Sequence, residues 1–352
     1  MASTSNLDDP RRHVRLELER VSGIAGSDFP HNYPGEDHSW NLRKFAENLQ
    51  VKIAHISETT CEFDLVGIDS SIANAIRRVL ISEVPTVAIE DVFVYNNTSI
   101  IQDEVLSHRL GLIPLQVDPR KIKMKGADSP NDQNTIVMGL QVACERNREA
   151  KKGETDPSLL YINDCVYASD LVWKPAGRQE TTFGTNTPRS VVDDVLIAKL
   201  RPGQSIELDV HAVKGIGKDH AKFSPVATAS YRLLPHIIIK EPIPSSDADE
   251  FAACFTPGVV SVETDSKTKQ KTVKVVEPRK DTVSREVLRH DKFKDKVELT
   301  RIRDHFIFSI ESVGAYQPED LLPEAINVLL GKIDSVESSL KALDSQTSEG
   351  RS

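Results

Sequence analysis

The feature that most limits how this chain can fold lies late in the sequence, where Leu322, Ile326, Leu329, Ile333, Val336, Leu340 and Leu343 recur in steps of four and three. That spacing predicts a helix with all seven side chains on one side over three heptads. Their full burial would contribute about 10–20 kcal/mol before entropy, at ~1.5–3 kcal/mol each. Such a stripe needs a cover, either the chain's own sheet or the helix of a second protein. Its position beyond the last predicted strand, Phe306 to Ser312, favours the second cover. Pro318, Glu319, Asp320 and Glu324 suit the first turn, and Pro323 marks either the true start or a kink.

A second amphipathic helix is predicted from Ser70 to Ser82, with Asp69 as N-cap and Pro85 beyond its end. At 100° per residue, Ile72, Ala75, Ile76, Val79 and Leu80 form its apolar face, while Asn74, Arg77, Arg78 and Ile81 lie opposite. An isoleucine beside two arginines on the outer face reads as an anchor for another protein, since arginine pairs carboxylates and carbonyls bidentately. Two further stretches are candidate contacts. His108-Arg-Leu-Gly-Leu-Ile-Pro-Leu115 is a basic pair, including Arg109, followed by an apolar run. The segment from Lys214 to Pro225, with Lys218, His220 and Lys222, reads either as an anion-binding loop or as a turn pressed onto another surface.

The remainder predicts a mixed chain. Residues 1 to about 45 are polar and read as an extended arm, with Tyr33 and Trp40 able to pin it. Alternation at Cys61, Phe63 and Leu65 predicts a strand, and further strands are expected at Thr86–Tyr95, Val137–Ala143, Tyr161–Trp173, Ser205–Val213, Val226–Leu234 and Ile237–Lys240. In the Ser205–Val213 strand, Ile206, Leu208, Val210 and Ala212 share one face and Glu207, Asp209 and His211 the other.

Charge and chemistry exclude several function classes. The net charge is −9, which argues against a chain whose main task is neutralising phosphates. Residues 265–296 depart from this, with eleven Lys or Arg against six Asp or Glu, so a +5 segment sits in a −14 body. No apolar run is long enough to span a bilayer, and the polar opening residues fit neither a secretory signal nor a transit peptide. Cys61, Cys144, Cys165 and Cys254 form no C-x-x-C pair. No nucleophile elbow, zincin motif or dinucleotide fingerprint occurs. The nearest phosphate-loop candidate, Gly217-Lys218, fails because Ala212 stands where the first glycine belongs and Asp219 replaces Ser or Thr.

Four ordered motifs carry a resemblance: Asn74-Ala-Ile-Arg-Arg-Val-Leu-Ile-Ser-Glu-Val-Pro85 with Ile89-Glu-Asp-Val92, His108 to Leu115, Gly217-Lys-Asp-His-Ala-Lys-Phe-Ser-Pro225, and the late amphipathic helix. Together they resemble the alpha-like assembly subunits of multisubunit RNA polymerases, over about residues 30 to 345. Phe29-Pro-His-Asn-Tyr-Pro-Gly-Glu-Asp-His-Ser-Trp-Asn-Leu42 and Val226-Ala-Thr-Ala-Ser-Tyr-Arg-Leu-Leu-Pro235 are similar to the larger alpha-like branch shared by eukaryotic polymerases I and III. The polymerase II branch carries a zinc-binding cysteine cluster in its inserted domain, which this sequence lacks.

The resemblance implies an α+β fold: a split alpha-like dimerisation domain at 46–112 and 226–345, after an arm at 1–45, with a mostly-β domain inserted at 113–225. It also implies an excursion at 241–300 similar to a ferredoxin-like domain. Of cluster ligands that excursion keeps only Cys254, so it is expected to be metal-free. No cofactor is expected, and catalysis is expected in the large subunits. Implied partners are a smaller alpha-like subunit, met by Leu322, Ile326, Leu329, Ile333, Val336 and Leu340, and the second-largest and largest subunits, met by Asn74, Arg77, Arg78 and Ile81, with Arg109, Lys218, His220 and Lys222 as further candidates. DNA would be touched only indirectly, no membrane is involved, and the location implied is the nucleus, including the nucleolus. The competing readings are a metal- or redox-linked protein acting through the excursion and a nucleic-acid binder acting through residues 265–296.

Overall fold

The computed structural model describes residues 12–24, 39–151, 153–266 and 269–349, with side chains described as far as residue 343. They form two compact units. The first is drawn from residues 1–54, 62–74 and 230–309, the second from 55–61, 75–229 and 310–352.

The six-stranded sheet that supports the first unit runs in the order Val21–Ser22, His13–Leu16, Val297–Ser312, Thr60–Val66 and Gln50–Ile56, and Val226–Ile239 also pairs with Val297–Ser312. The alternation expected at Cys61, Phe63 and Leu65 holds, for all three are buried while their neighbours are half-exposed. Phe63 stacks on Phe308 at 5.2 Å between ring centroids. A separate apolar cluster lies around residues 237–299, where Phe251 and Phe293 meet edge to face at 5.3 Å, with the short helix Ala248–Ala253 and the hairpin Val260–Thr264/Lys271–Val275 beside it.

Three expectations change in this region. His13–Leu16, read as part of an extended arm, is a strand paired antiparallel to the long strand with His13 opposite Ile302. His13, Val14 and Leu16 are its buried positions. Residues 1–11 and 25–38, and Tyr33 with them, lie outside the described residues, while Trp40 is exposed and meets Phe45 at 5.1 Å. The long strand begins at Val297 rather than Phe306, because Arg301, Arg303, Asp304 and His305 mask in sequence a buried series of Val297, Leu299 and Ile302. The two strands expected at Val226–Leu234 and Ile237–Lys240 are one, Val226–Ile239. Pro235 is tolerated there because this strand pairs only with Val297–Ser312, so its other edge requires no ladder donor.

The second unit is built on a four-stranded sheet in the order Val172–Lys174, Thr135–Ala143, Ser205–Gly215 and Thr86–Asn97, every pair antiparallel. Ile206, Leu208, Val210 and Ala212 face a core shared with Ile136, Met138, Leu106 and Leu110. The single strand expected over Tyr161–Trp173 is instead three short pieces, Tyr161–Ile162, Cys165–Tyr167 and Val172–Lys174. Asn163 sits in left-handed conformation (φ 58°), and a 3-10 turn at Ala168–Asp170 is closed by Tyr167 N donating to Asp170 Oδ2 at 2.8 Å. Asn and Asp favour such local bonds over a ladder.

Candidate assembly surfaces

The Ser70–Ser82 helix starts as its sequence requires, with Ser71 N donating to Asp69 Oδ1 at 2.7 Å. Its buried positions are Ala73, Ile76, Val79 and Leu80. Ile72, expected on that face, is exposed: the buried arc is centred one residue later, and the small Ala73 fills the place of closest approach. Asn74 and Arg77 are half-buried, whereas Arg78 and Ile81 are exposed, Ile81 at 37%.

The Lys214–Pro225 segment comes to this helix end. Lys218 N donates to Ser82 O at 2.8 Å, and a Cβ on Gly217 would stand 2.3 Å from the Ile81 carbonyl oxygen. The glycine is therefore required by backbone contact, and the segment is a turn pressed on the chain's own helix. Lys218 and His220 are exposed, and His220 Nδ1 accepts from Lys222 N at 3.1 Å. Lys222 itself points inward, donating to Ile89 O at 2.8 Å and pairing with Glu90 at 2.5 Å. Arg109 likewise donates to the carbonyls of Ile197 and Leu196, at 3.0 and 2.6 Å. So Ile81 and Lys218 are exposed where the turn meets the helix end, Arg78 is exposed one helical turn earlier and His220 two residues past Lys218, while Arg109 and Lys222 hold the unit together.

The last helix, Leu321–Glu349, follows a 3-10 turn at Pro318–Asp320, so Pro323 lies in the first turn, where an N–H would have no intrahelical partner. Leu321 and Ala325 are buried. Arg120 secures this base, with Asp118 at 2.9 Å, Asp320 at 3.3 Å and Glu324 at 3.8 Å. The hydrogen bond to Asp118 and the surrounding carboxylates raise its pKa. Beside it, Tyr316 donates to Pro85 O at 2.9 Å, and burial pushes its phenol well above the ordinary range. Lys332 pairs with Glu83, about two turns further along. Sequence reasoning missed Arg120, Glu83 and Lys332, since the Arg120–Asp320 and Lys332–Glu83 pairs that root the helix join residues 200 or more positions apart.

Beyond Leu329 every described side chain of the helix is exposed. Leu322 and Leu329 are half-buried, but Ile326, Ile333, Val336, Leu340 and Leu343 are exposed, with Ile333 at 61% and Val336 at 60%. Leu330 joins the exposed stripe.

The sequence profile of the RNA polymerase Rpb3/Rpb11 dimerisation domain matches residues 62–333, a span that takes in the Ser70–Ser82 helix and the start of the last helix as far as Ile333. The chain belongs to this family. Among its relatives, the human DNA-directed RNA polymerases I and III subunit RPAC1 is 50% identical over 334 residues, covering 94% of this chain and 96% of that protein. The Saccharomyces cerevisiae subunit of the same name is 49% identical over 326 residues, covering 91% and 96%. More distantly, the Arabidopsis thaliana DNA-directed RNA polymerases II, IV and V subunit 3 is 35% identical over 296 residues, covering 82% and 90%. Membership in the Rpb3/Rpb11 family brings a dimerisation and assembly role.

In this family member the basic segment is an internal feature of the first unit. Lys271 pairs with Asp249, Lys274 with Glu263, Lys292 with Glu250 and Lys294 with Asp291, while Arg279 reaches Asp64. Burial pushes the Asp64 carboxyl up, but hydrogen bonds and charge from Arg279 and from His305, whose Nε2 is 2.9 Å away, hold it below the ordinary carboxylate value. Among the described residues no group of three or more His, Cys, Asp or Glu is arranged to hold a metal ion, and no helix is long and apolar enough to cross a membrane.

Proposed function

We propose that this chain is a noncatalytic assembly subunit of DNA-directed RNA polymerases I and III, working in the nucleus and, with polymerase I, in the nucleolus. The observation that carries the reading is the last helix, whose base is locked by Arg120 and whose outer half carries an uncovered aliphatic stripe through Ile333, Val336 and Leu340. A rigidly rooted helix with a heptad seam fits a second helix, and the smaller alpha-like subunit is its occupant. The Arg78, Ile81, Lys218 and His220 patch then serves the second-largest and largest subunits, since an exposed arginine beside an exposed isoleucine suits a protein interface centre. On this reading, dimerisation and large-subunit recruitment use separate surfaces. The domain division that goes with it is a split dimerisation domain, 46–112 with 226–345, holding an inserted mostly-β domain at 113–225 and a metal-free excursion at 241–300.

Co-purification tests it. Ile333→Asp places an unpaired carboxylate in the seam, which costs several kcal/mol when buried, so recovery of the smaller subunit should fall at least about tenfold. Recovery at native yield would sink the seam assignment. Arg78→Ala should leave the heterodimer intact and weaken capture of the second-largest subunit. Loss of the heterodimer in that variant would mean that the two surfaces have been exchanged.

A further inference from the structure

The second unit holds an open cleft of about 430 Å³ lined by side chains from residues 116–121, 183–189 and 314–320. Its charges are unevenly engaged. The carboxylates of Asp118 and Asp320 on its wall are taken up by Arg120. Among the described residues, the other two cations, Lys121 and Arg189, have no carboxylate partner. Lys121 gives one of its three donors to Thr182 O at 3.1 Å, and its ammonium lies 5.7 Å from the centre of the Phe183 ring. Arg189 Nε donates to Gln116 Oε1 at 2.8 Å, which orients the guanidinium while leaving its two amino groups open. The side chains of Thr185, Asn186 and Thr187 add donors on the same wall, with no acceptor among the described residues.

We propose that this cavity is a phosphoryl-binding site. Two cations and three neutral donors line a space larger than one anion, the chemistry that a multi-oxygen dianion needs and that a two-oxygen carboxylate would fill incompletely. Its floor is formed by the buried rings of Phe183 and Tyr316. The phosphoryl group has two possible sources. One is a soluble phosphate ester or pyrophosphate. The other is Thr187 itself, exposed and followed by Pro188, whose Oγ would take the γ-phosphoryl of ATP from a proline-directed kinase, releasing ADP and the hydroxyl proton.

The probe is inorganic pyrophosphate, titrated into the full-length chain by calorimetry at low salt with acetate as control. Saturable binding is expected, weakened about tenfold by Arg189→Gln and again by Lys121→Gln, with thermal midpoints unchanged. No saturable heat, equal binding of acetate, or undiminished binding by both variants would mean an adventitious ion only and would overturn the site. Repeating the titration after kinase treatment separates the sources. A phosphorylated chain that no longer binds pyrophosphate makes Thr187 the occupant, and one that still binds, or a Thr187 that the kinase leaves unmodified, makes the ligand soluble.

Discussion

The basic segment of the first unit and the Arg78–Lys218 patch of the second are built from the same cationic side chains, yet the fold treats them in opposite ways. In the segment, Arg279 is tied to the largely buried Asp64, while lysines stand opposite Asp249, Glu263 and Glu250 in exposed pairs, so much of the local excess of +5 is met by carboxylates of the same unit. In the patch, Arg78 and Lys218 face outward beside an exposed isoleucine, and the bare half of the last helix continues the same economy of leaving surfaces open. Cations that look alike in composition therefore divide into those that hold the chain and those that present it. The test of the division is whether stability and assembly can be damaged separately.

Ile333→Asp gives the largest separation: loss of the smaller subunit from pull-downs with no fall in the thermal midpoint of the isolated chain, because the residue is already in water. A lowered midpoint would break the comparison. Gly217→Ala is next, and is expected to disturb both properties. Its new methyl would press on the Ile81 carbonyl, costing about 1–3 kcal/mol and shifting the patch, measurable by denaturant unfolding and by large-subunit capture. Asp64→Asn should do the converse of Ile333→Asp, lowering stability by about 1–2 kcal/mol through Arg279 and His305 while partner binding is retained. Smallest is Lys292→Ala at a fully exposed pair with Glu250, which should leave the midpoint unresolved from wild type.

Acid titration sharpens the same contrast. Asp64 and Glu298 are both held below the ordinary carboxylate value. Arg279 and His305 outweigh the burial of Asp64, and a hydrogen bond from Lys240 leads for Glu298. Their contribution is present above the unfolded-state value near pH 4 and is lost as pH falls through the depressed folded values. Asp281 is raised by burial and acts in the opposite sense, gaining as it protonates. The first unit should accordingly lose stability below about pH 4, and Asp64→Asn should flatten that loss in unfolding curves taken across the range.

What could be read in the sequence was whatever repeats over a few residues. The period of two at Ile206, Leu208, Val210 and Ala212, the Asp69 cap and the 4-3 stripe all survive into the structure because each depends on local geometry alone. The pairing of His13 with Ile302, the contact of Gly217 with Ile81 and the grip of Arg120 on Asp320 were not legible, since nothing local records which distant residue arrives. Charge type was equally silent on direction: Lys218 and Lys222 are four residues apart in one turn, and one faces water while the other is buried on Ile89 and Glu90. Ile72 was misread for a simpler reason, as hydrophobicity alone cannot tell the centre of a helix face from its margin when alanine fits the closest contact.

The uncovered half of the last helix also bears on supply. Any copy made in excess of its partner carries in water a row of aliphatic side chains, the kind of surface that chaperones hold and proteases reach. Because the base of the helix is anchored, such a copy cannot fold the row away against itself. In the proposed heterodimer the scarcer chain would set the concentration of usable subunit, and a copy left unpaired is expected to turn over faster than a paired one.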